Sequence, residues 1–250
     1  MLLIQNPKKI WSSLWILLCC TVLANMVLLY QFDKKNQRDR FTGCLNKLEQ
    51  KHVFVIDPSA IQSTQTQSEI FSRISQHLDK VKQEDLTLIY VMNGQPIDQL
   101  QPVFKACYTD ANFKKLFLKS AKHAIYAQSV TSTTRPLAEA LLDIELSQHQ
   151  IQPKRTHLLI FSNFIQNSQN LSFTQHTDVK IAIEKFKSSR LGGVQRPTFI
   201  NTTLYLHIIP QAKFTENQLN IRDGFWVWFV GDMRGDRKSY GLERHDLPGS

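Results

Sequence analysis

The segment from Ile10 to Phe32 reads IWSSLWILLCCTVLANMVLLYQF and contains no charged residue. A helix rising about 1.5 Å per residue carries about twenty such residues across roughly 30 Å, the thickness of a bilayer core. In lipid every backbone N–H and C=O must be bonded internally, so a single span of this kind is a helix. Trp11, Trp15 and Tyr30 stand toward its ends, where amphipathic rings favour the membrane interface.

Lys8 and Lys9 precede the run, and Val22-Leu23-Ala24 has the small-residue look of a signal-peptide cleavage site. The hydrophobicity nevertheless continues through Met26-Val27-Leu28-Leu29-Tyr30, beyond a cleavable core, so the segment reads as an uncleaved anchor. Leu17 and Leu18 before Cys19 do not fit a lipoprotein site. The expected organisation is a tail over 1–9, a transmembrane helix over 10–32, a juxtamembrane linker over 33–50, a folded domain over 51–231 and a polar C-terminal tail over 232–250.

Orientation draws on opposing signals. Lys34, Lys35, Arg38 and Arg40 follow the run and favour a cytoplasmic domain on a count of basic residues. The short N-terminal tail with two lysines favours the outside. So do Cys44 and Cys107, which can pair if the domain faces an oxidising space. The extracytoplasmic side is the reading taken. Cys19 and Cys20 lie inside the apolar run, and no C-x-x-C metal or redox motif occurs.

The net charge is +9, and much of it lies in Lys105–Lys122 and Lys180–Arg196. Such stretches are mostly solvated helix faces, with anionic lipid or nucleic acid as alternative partners. No recognised nucleic-acid-binding module accompanies them.

Behind the linker the pattern alternates. Phe41 to Gln50 reads as a short helix. His52 to Asp57, Leu86 to Met92, Thr156 to Ser162 and Thr203 to Ile209 are short apolar runs of strand type. Between them, Ser68–Lys82, the stripe Phe113/Leu116/Phe117, the stretch after Pro136 and Asp178–Ser188 repeat apolar residues at helical spacing. Phe225-Trp-Val-Trp-Phe229 fits strand or helix by periodicity alone. The implied architecture is α/β, Rossmann-like: a mostly parallel sheet with helices on both faces, plus the N-terminal transmembrane helix.

In such sheets ligands bind beyond the carboxyl ends of the strands. Those ends carry Asp57-Pro58-Ser59 and Ser162-Asn163, while Ser129, Thr131, Ser132, Thr133 and Thr134 lead into the Pro136 helix. Hard oxygen ligands of this kind suit Mg²⁺, Ca²⁺ or Mn²⁺. The segments HVFVIDPSA, TSTTRPLAEALLDI and HLLIFSNFIQNS together resemble the von Willebrand factor A-like domains over roughly 51–231. That resemblance implies a metal-ion-dependent adhesion site, here degenerate, made by Asp57, Ser59, Thr134 and Asn163 around Mg²⁺ or Mn²⁺. Ile61 stands at the second serine place, Arg135 close to the threonine and Asn163 at the aspartate, so one carboxylate remains instead of two. It further implies a C-terminal helix over the FWVWF stretch, and a protein-binding role in an assembly.

Ser59, Thr134, Asn163 and Gln166 are accordingly the expected partner-binding face of a membrane-anchored, non-catalytic interaction module. The P-loop, the dinucleotide glycine fingerprint, the nucleophile elbow and paired-histidine metal spacing are all missing from the sequence. A basic nucleic-acid- or lipid-binding protein, and a divergent hydrolase using Asp57 and Ser59, are the alternatives.

Overall fold

A computed structural model describes residues 7–36, 38–39, 42–45, 48–94, 99–126, 134–146, 153–176, 178–191, 193–197, 199, 201–231 and 242–247. Helix α1 spans Pro7–Asn36. Its side chains are described over 15–31, and there every residue is exposed, Leu17 at 68% and Leu29 at 66%. No stretch of the described residues is both long and apolar enough to cross a membrane.

The domain follows as β1 (Gln50–Ile56), α2 (Thr64–Leu78), β2 (Leu86–Val91), β3 (Phe104–Cys107), α3 (Ala111–Tyr126), α4 (Leu137–Leu146), β4 (Arg155–Ser162), α5 (Val179–Ser189), β5 (Thr202–Ile208), α6 (Glu216–Val230) and β6 (Leu242–Asp246). The sheet order is β3-β2-β1-β4-β5-β6. All neighbours run parallel except β3, which is antiparallel to β2. This is the doubly wound order 3-2-1-4-5-6, in which the chain reverses its direction of growth between β1 and β4.

Strands β1, β2, β4 and β5 read as continuous apolar runs because both of their faces are covered. On one face Val53, Val55, Leu158, Ile160 and Leu206 pack with Leu141, Phe186 and Phe225 from α4, α5 and α6. On the other, Phe54, Ile56, Ile89 and Phe161 pack with Ile74 and Phe117 from α2 and α3. The Lys-rich helix α3 thus spends its apolar stripe on its own sheet, leaving Leu116 exposed.

The FWVWF stretch is helical. Thr215 and Gln218 cap each other reciprocally and start α6, which buries Phe225, Trp226 and Phe229 and leaves Val227 exposed. At Gly224 an added Cβ would lie 2.7 Å from Val179 Cγ1, so α5 and α6 touch there backbone to side chain.

Two expectations are corrected, and one strand outside them is added. Over Phe41–Gln50 the described residues form no helix. The Asp39 N–H donates to the Cys44 carbonyl at 2.8 Å, Gly43 has φ +69°, and Gln50 already belongs to β1. An Asp-led turn with a left-handed glycine opposes helical continuation. Second, β6 lies in the stretch read as a polar tail over 232–250, so the sheet extends past 231. Its sequence LERHD carries one apolar residue, and an edge strand needs backbone pairing more than an apolar run. The added strand is β3, which the sequence does not disclose because it is short and also at an edge.

Cys44 and Cys107 are disulfide-bonded, with Cα atoms 5.3 Å apart. The bond ties the segment after α1 to edge strand β3. Arg38 adds a second tie, its guanidinium pairing with Glu84 at 2.7 Å.

Candidate functional site

The reversal between β1 and β4 puts the carboxyl ends of these strands side by side, with Ile56 opposite Phe161. Asp57 and Ser162 follow directly. Both are buried, at 3% and 2% exposure. The Ser162 Oγ donates to Asp57 Oδ2 at 2.8 Å, and Ser59 N donates to Asp57 Oδ1 at 3.1 Å. The Ser59 hydroxyl donates to that same Oδ1. Asp57 thereby caps the 3-10 turn Pro58–Ala60 and pins it to β4. The Asp57-x-Ser59 spacing matters because the side chain two residues on returns to the carboxylate.

Asn163 and Gln166, read as partner-binding, are buried at 1% and 0%. Asn163 Oδ1 accepts from the Ile165 N–H at 2.9 Å, and its Nδ2 donates to Gln211 Oε1 at 3.1 Å. Gln211 in turn donates to the Ala60 carbonyl at 3.0 Å, closing a chain across the ends of β1, β4 and β5. Gln166 Oε1 accepts from the Ala138 N–H at 3.0 Å at the start of α4. Its Nε2 donates to the buried Glu139 at 2.5 Å, which also accepts from Ser168 Oγ at 2.6 Å. Both amides therefore support the loops from inside. The outward positions of the expected face are Thr134, which is exposed, and Ser59, which is partly so.

Arg135, beside Thr134, is held by paired backbone bonds with Asn167, and its Nε is buried with no hydrogen-bond partner among the described residues. Ser129, Thr131, Ser132 and Thr133 lie outside the described residues.

This oxygen set fits a divalent cation poorly. Mg²⁺ and Ca²⁺ are held by carboxylates and free carbonyl oxygens. Here the sole carboxylate already accepts from two hydroxyls and an amide, and Asn163 Oδ1 is committed to a backbone N–H. Among the described residues no group of three or more His, Cys, Asp or Glu side chains is arranged to hold a metal ion.

A second polar cluster, invisible to motif reading, lies at the amino ends of the strands. His52 on β1 stacks on His157 of β4, ring centroids 4.8 Å apart. His52 Nδ1 is 2.9 Å from His77 Nε2, and its Nε2 is 3.3 Å from Asp85 Oδ2. His52 thus meets a carboxylate through one ring nitrogen and a second imidazole through the other. Burial holds the imidazolium form of His77 down to about 3 and that of His157 to about 4, and the neighbouring rings and Lys80 push the same way. Farther along the same face, His207 stacks between Phe161 and His245, and burial lowers it to about 3. These residues come from distant parts of the chain. The only sequence signal was histidine within apolar strand runs.

No protein-family model matches the chain, and no curated protein matches it in sequence.

Proposed function

We propose that the protein is a single-pass membrane-anchored interaction module, a non-catalytic subunit of a membrane-associated assembly. It presents the carboxyl ends of its strands to a partner protein. The observation that carries this reading is helix α1, whose apolar side chains are bare over 15–31 while the α/β domain closes two cores of its own. Apolar residues exposed on every side of a helix call for an apolar solvent or a covering protein.

The von Willebrand factor A-like resemblance is supported by the doubly wound sheet and by Asp57, Ser59 and Ser162 meeting at its reversal point. The arrangement supports a protein-binding surface better than a metal-dependent one, because the polar groups are used to shape loops. Thr134 and Ser59 are its outward residues. The Cys44–Cys107 bond supports the extracytoplasmic side, where disulfides persist.

Two measurements test this. Carbonate extraction of membranes should leave the full chain in the pellet and release a variant with Leu17, Leu23 and Leu28 replaced by Lys; extraction of both would refute the anchor. A photo-crosslinking residue at position 134 should give one discrete adduct in cells that Ser59→Arg suppresses, with the circular dichroism spectrum unchanged. An adduct indifferent to Ser59→Arg would refute the face.

A further inference from the structure

Strands β1, β2, β4, β5 and β6 run parallel, so every return connection delivers the chain to the same end of the sheet. That end holds Lys80 and Lys82 before β2, Lys154 and Arg155 at β4, and Arg190, Leu191, Gly193 and Val194 after α5. Lys80, Lys82, Lys154 and Arg155 are exposed, and Leu191 projects from the turn at 88% exposure. The turn is built to hold it there: the Gly193 N–H donates to the Arg190 carbonyl at 2.9 Å, and Arg190 Nε donates to the Val194 carbonyl at 3.1 Å. Val194 beside it is 40% exposed.

The carboxylates at this end are largely spoken for. Glu49 pairs with Lys154, Asp79 with Lys114 and Glu84 with Arg38. Asp85 is buried against His52. On α4, Glu145 faces the buried Lys51 and Asp143 faces Arg190. Lys154 is itself spent on Glu49 and Arg190 faces Asp143, so the outward surplus is carried by Lys80 and Lys82.

The chain also enters the domain at this end. Only 37 separates α1 from Arg38, which grips Glu84 beside the start of β2, and Cys44 is bonded to Cys107 opposite Leu86. From Phe32, the end of the apolar run, the helix rises about 6 Å to Asn36, and the two residues to Arg38 add at most about 7 Å. On the anchor reading, a domain tied this closely to α1 holds its entry end near the bilayer.

We infer that the amino-terminal end of the sheet docks on anionic phospholipid headgroups, with Leu191 entering the interface, so that the Asp57–Thr134 end points away from the membrane. Charge complementarity selects the occupant, because exposed lysines are drawn to whichever leaflet facing the domain carries anionic headgroups. A leucine protruding at the same end of the sheet as exposed lysines combines the apolar and cationic groups that interfacial binding uses. The inference rests on the anchor reading above.

The test uses the full chain in vesicles, with Cys19 and Cys20 replaced by Ser and the environment-sensitive dye NBD attached at Leu191→Cys or at Thr134→Cys. In phosphatidylcholine vesicles containing phosphatidylglycerol, the dye at 191 should brighten and shift to the blue, while the dye at 134 reports water. Lys80→Gln with Lys82→Gln should lower the docked-to-undocked ratio roughly thirtyfold, the equivalent of two lysine–surface contacts. Added salt should do the same. Quenching of Trp15 by brominated lipid is the internal control. If Trp15 is quenched while the dye at 191 stays in water, or only the dye at 134 enters lipid, the docking is overturned and the anchor stands. If Trp15 is not quenched, the anchor reading fails and the docking falls with it.

Discussion

Asp57 is legible in sequence as a strand-end carboxylate, while its hydrogen-bond partners are not. Its place after the first strand, two residues before Ser59, marked the site, but the carboxylate turns inward to Ser59 and Ser162. Asp57→Ala should therefore cost about 2–3 kcal/mol of stability, since buried hydroxyl donors lose a charged acceptor. Ser59→Ala should cost under about 1 kcal/mol, and urea denaturation of both variants separates a structural carboxylate from a ligand. Asn163 and Gln166 looked outward because sequence gives no burial for polar residues in loops; each instead satisfies backbone N–H groups that a buried loop would leave unpaired. The histidine cluster is not legible as a cluster, because the meeting of its members depends on strand register and on helix α2. They give a pH dependence with a definite sign. Burial lowers His77 and His207 from 6.5 to about 3, so the fold excludes protons that the unfolded chain accepts. Their contribution is complete above pH 6.5 and is lost as pH falls below it, at up to about 1.4 kcal/mol per pH unit per group. Between pH 6.5 and 5 the two together should lower stability by roughly 3 kcal/mol. His207→Phe should flatten part of that slope in urea midpoints measured across the range, and cost little at pH 7, because its Nδ1 is already buried without a partner among the described residues.

At the scale of elements, what the sequence disclosed depended on how each element is buried. Strands β1, β2, β4 and β5 were readable because burial on both faces demands unbroken apolar runs. Strands β3 and β6 were not, because an edge is specified by backbone pairing. Helix α6 was ambiguous because Phe225, Trp226 and Phe229 bury one face while Val227 and Trp228 interrupt any clean period. Its capping box, Thr215 with Gln218, stands well before the aromatic run, and only the two together specify a helix. Helices α5 and α6 approach closely where Gly224 meets Val179. Alanine at an ordinary helical glycine is favourable by up to about 1 kcal/mol. Here the new Cβ would lie 2.7 and 2.8 Å from the valine methyls, so Gly224→Ala should instead destabilise by about 1–3 kcal/mol. Adding Val179→Ala should restore much of the loss, and thermal melts of the single and double variants would expose the coupling.

For the molecule as a whole, the joint between anchor and domain decides how the two work together. The disulfide closes a loop with a sequence separation of 63, linking the segment after α1 to a sheet edge. In the chain-entropy account such a loop stabilises the fold by about 4 kcal/mol. Because the crosslink lies wholly on the domain side of α1, its effect belongs to the domain. A chain beginning at Arg38 keeps the crosslink, the Arg38–Glu84 pair and both cores. It should melt close to the full-length protein, and it should leave the membrane pellet for the soluble fraction. Replacing Cys44 and Cys107 by Ser in that shortened chain should lower its stability by about 4 kcal/mol in urea. Adding a reductant to the parent should reproduce the loss, and adding it to the double variant should change nothing. If the shortened chain melts far below the full protein, helix α1 is part of the fold and not a tether. If instead the double variant is as stable as its parent, the linker owes its position to Arg38 alone, and the domain gains no stability from an oxidising compartment.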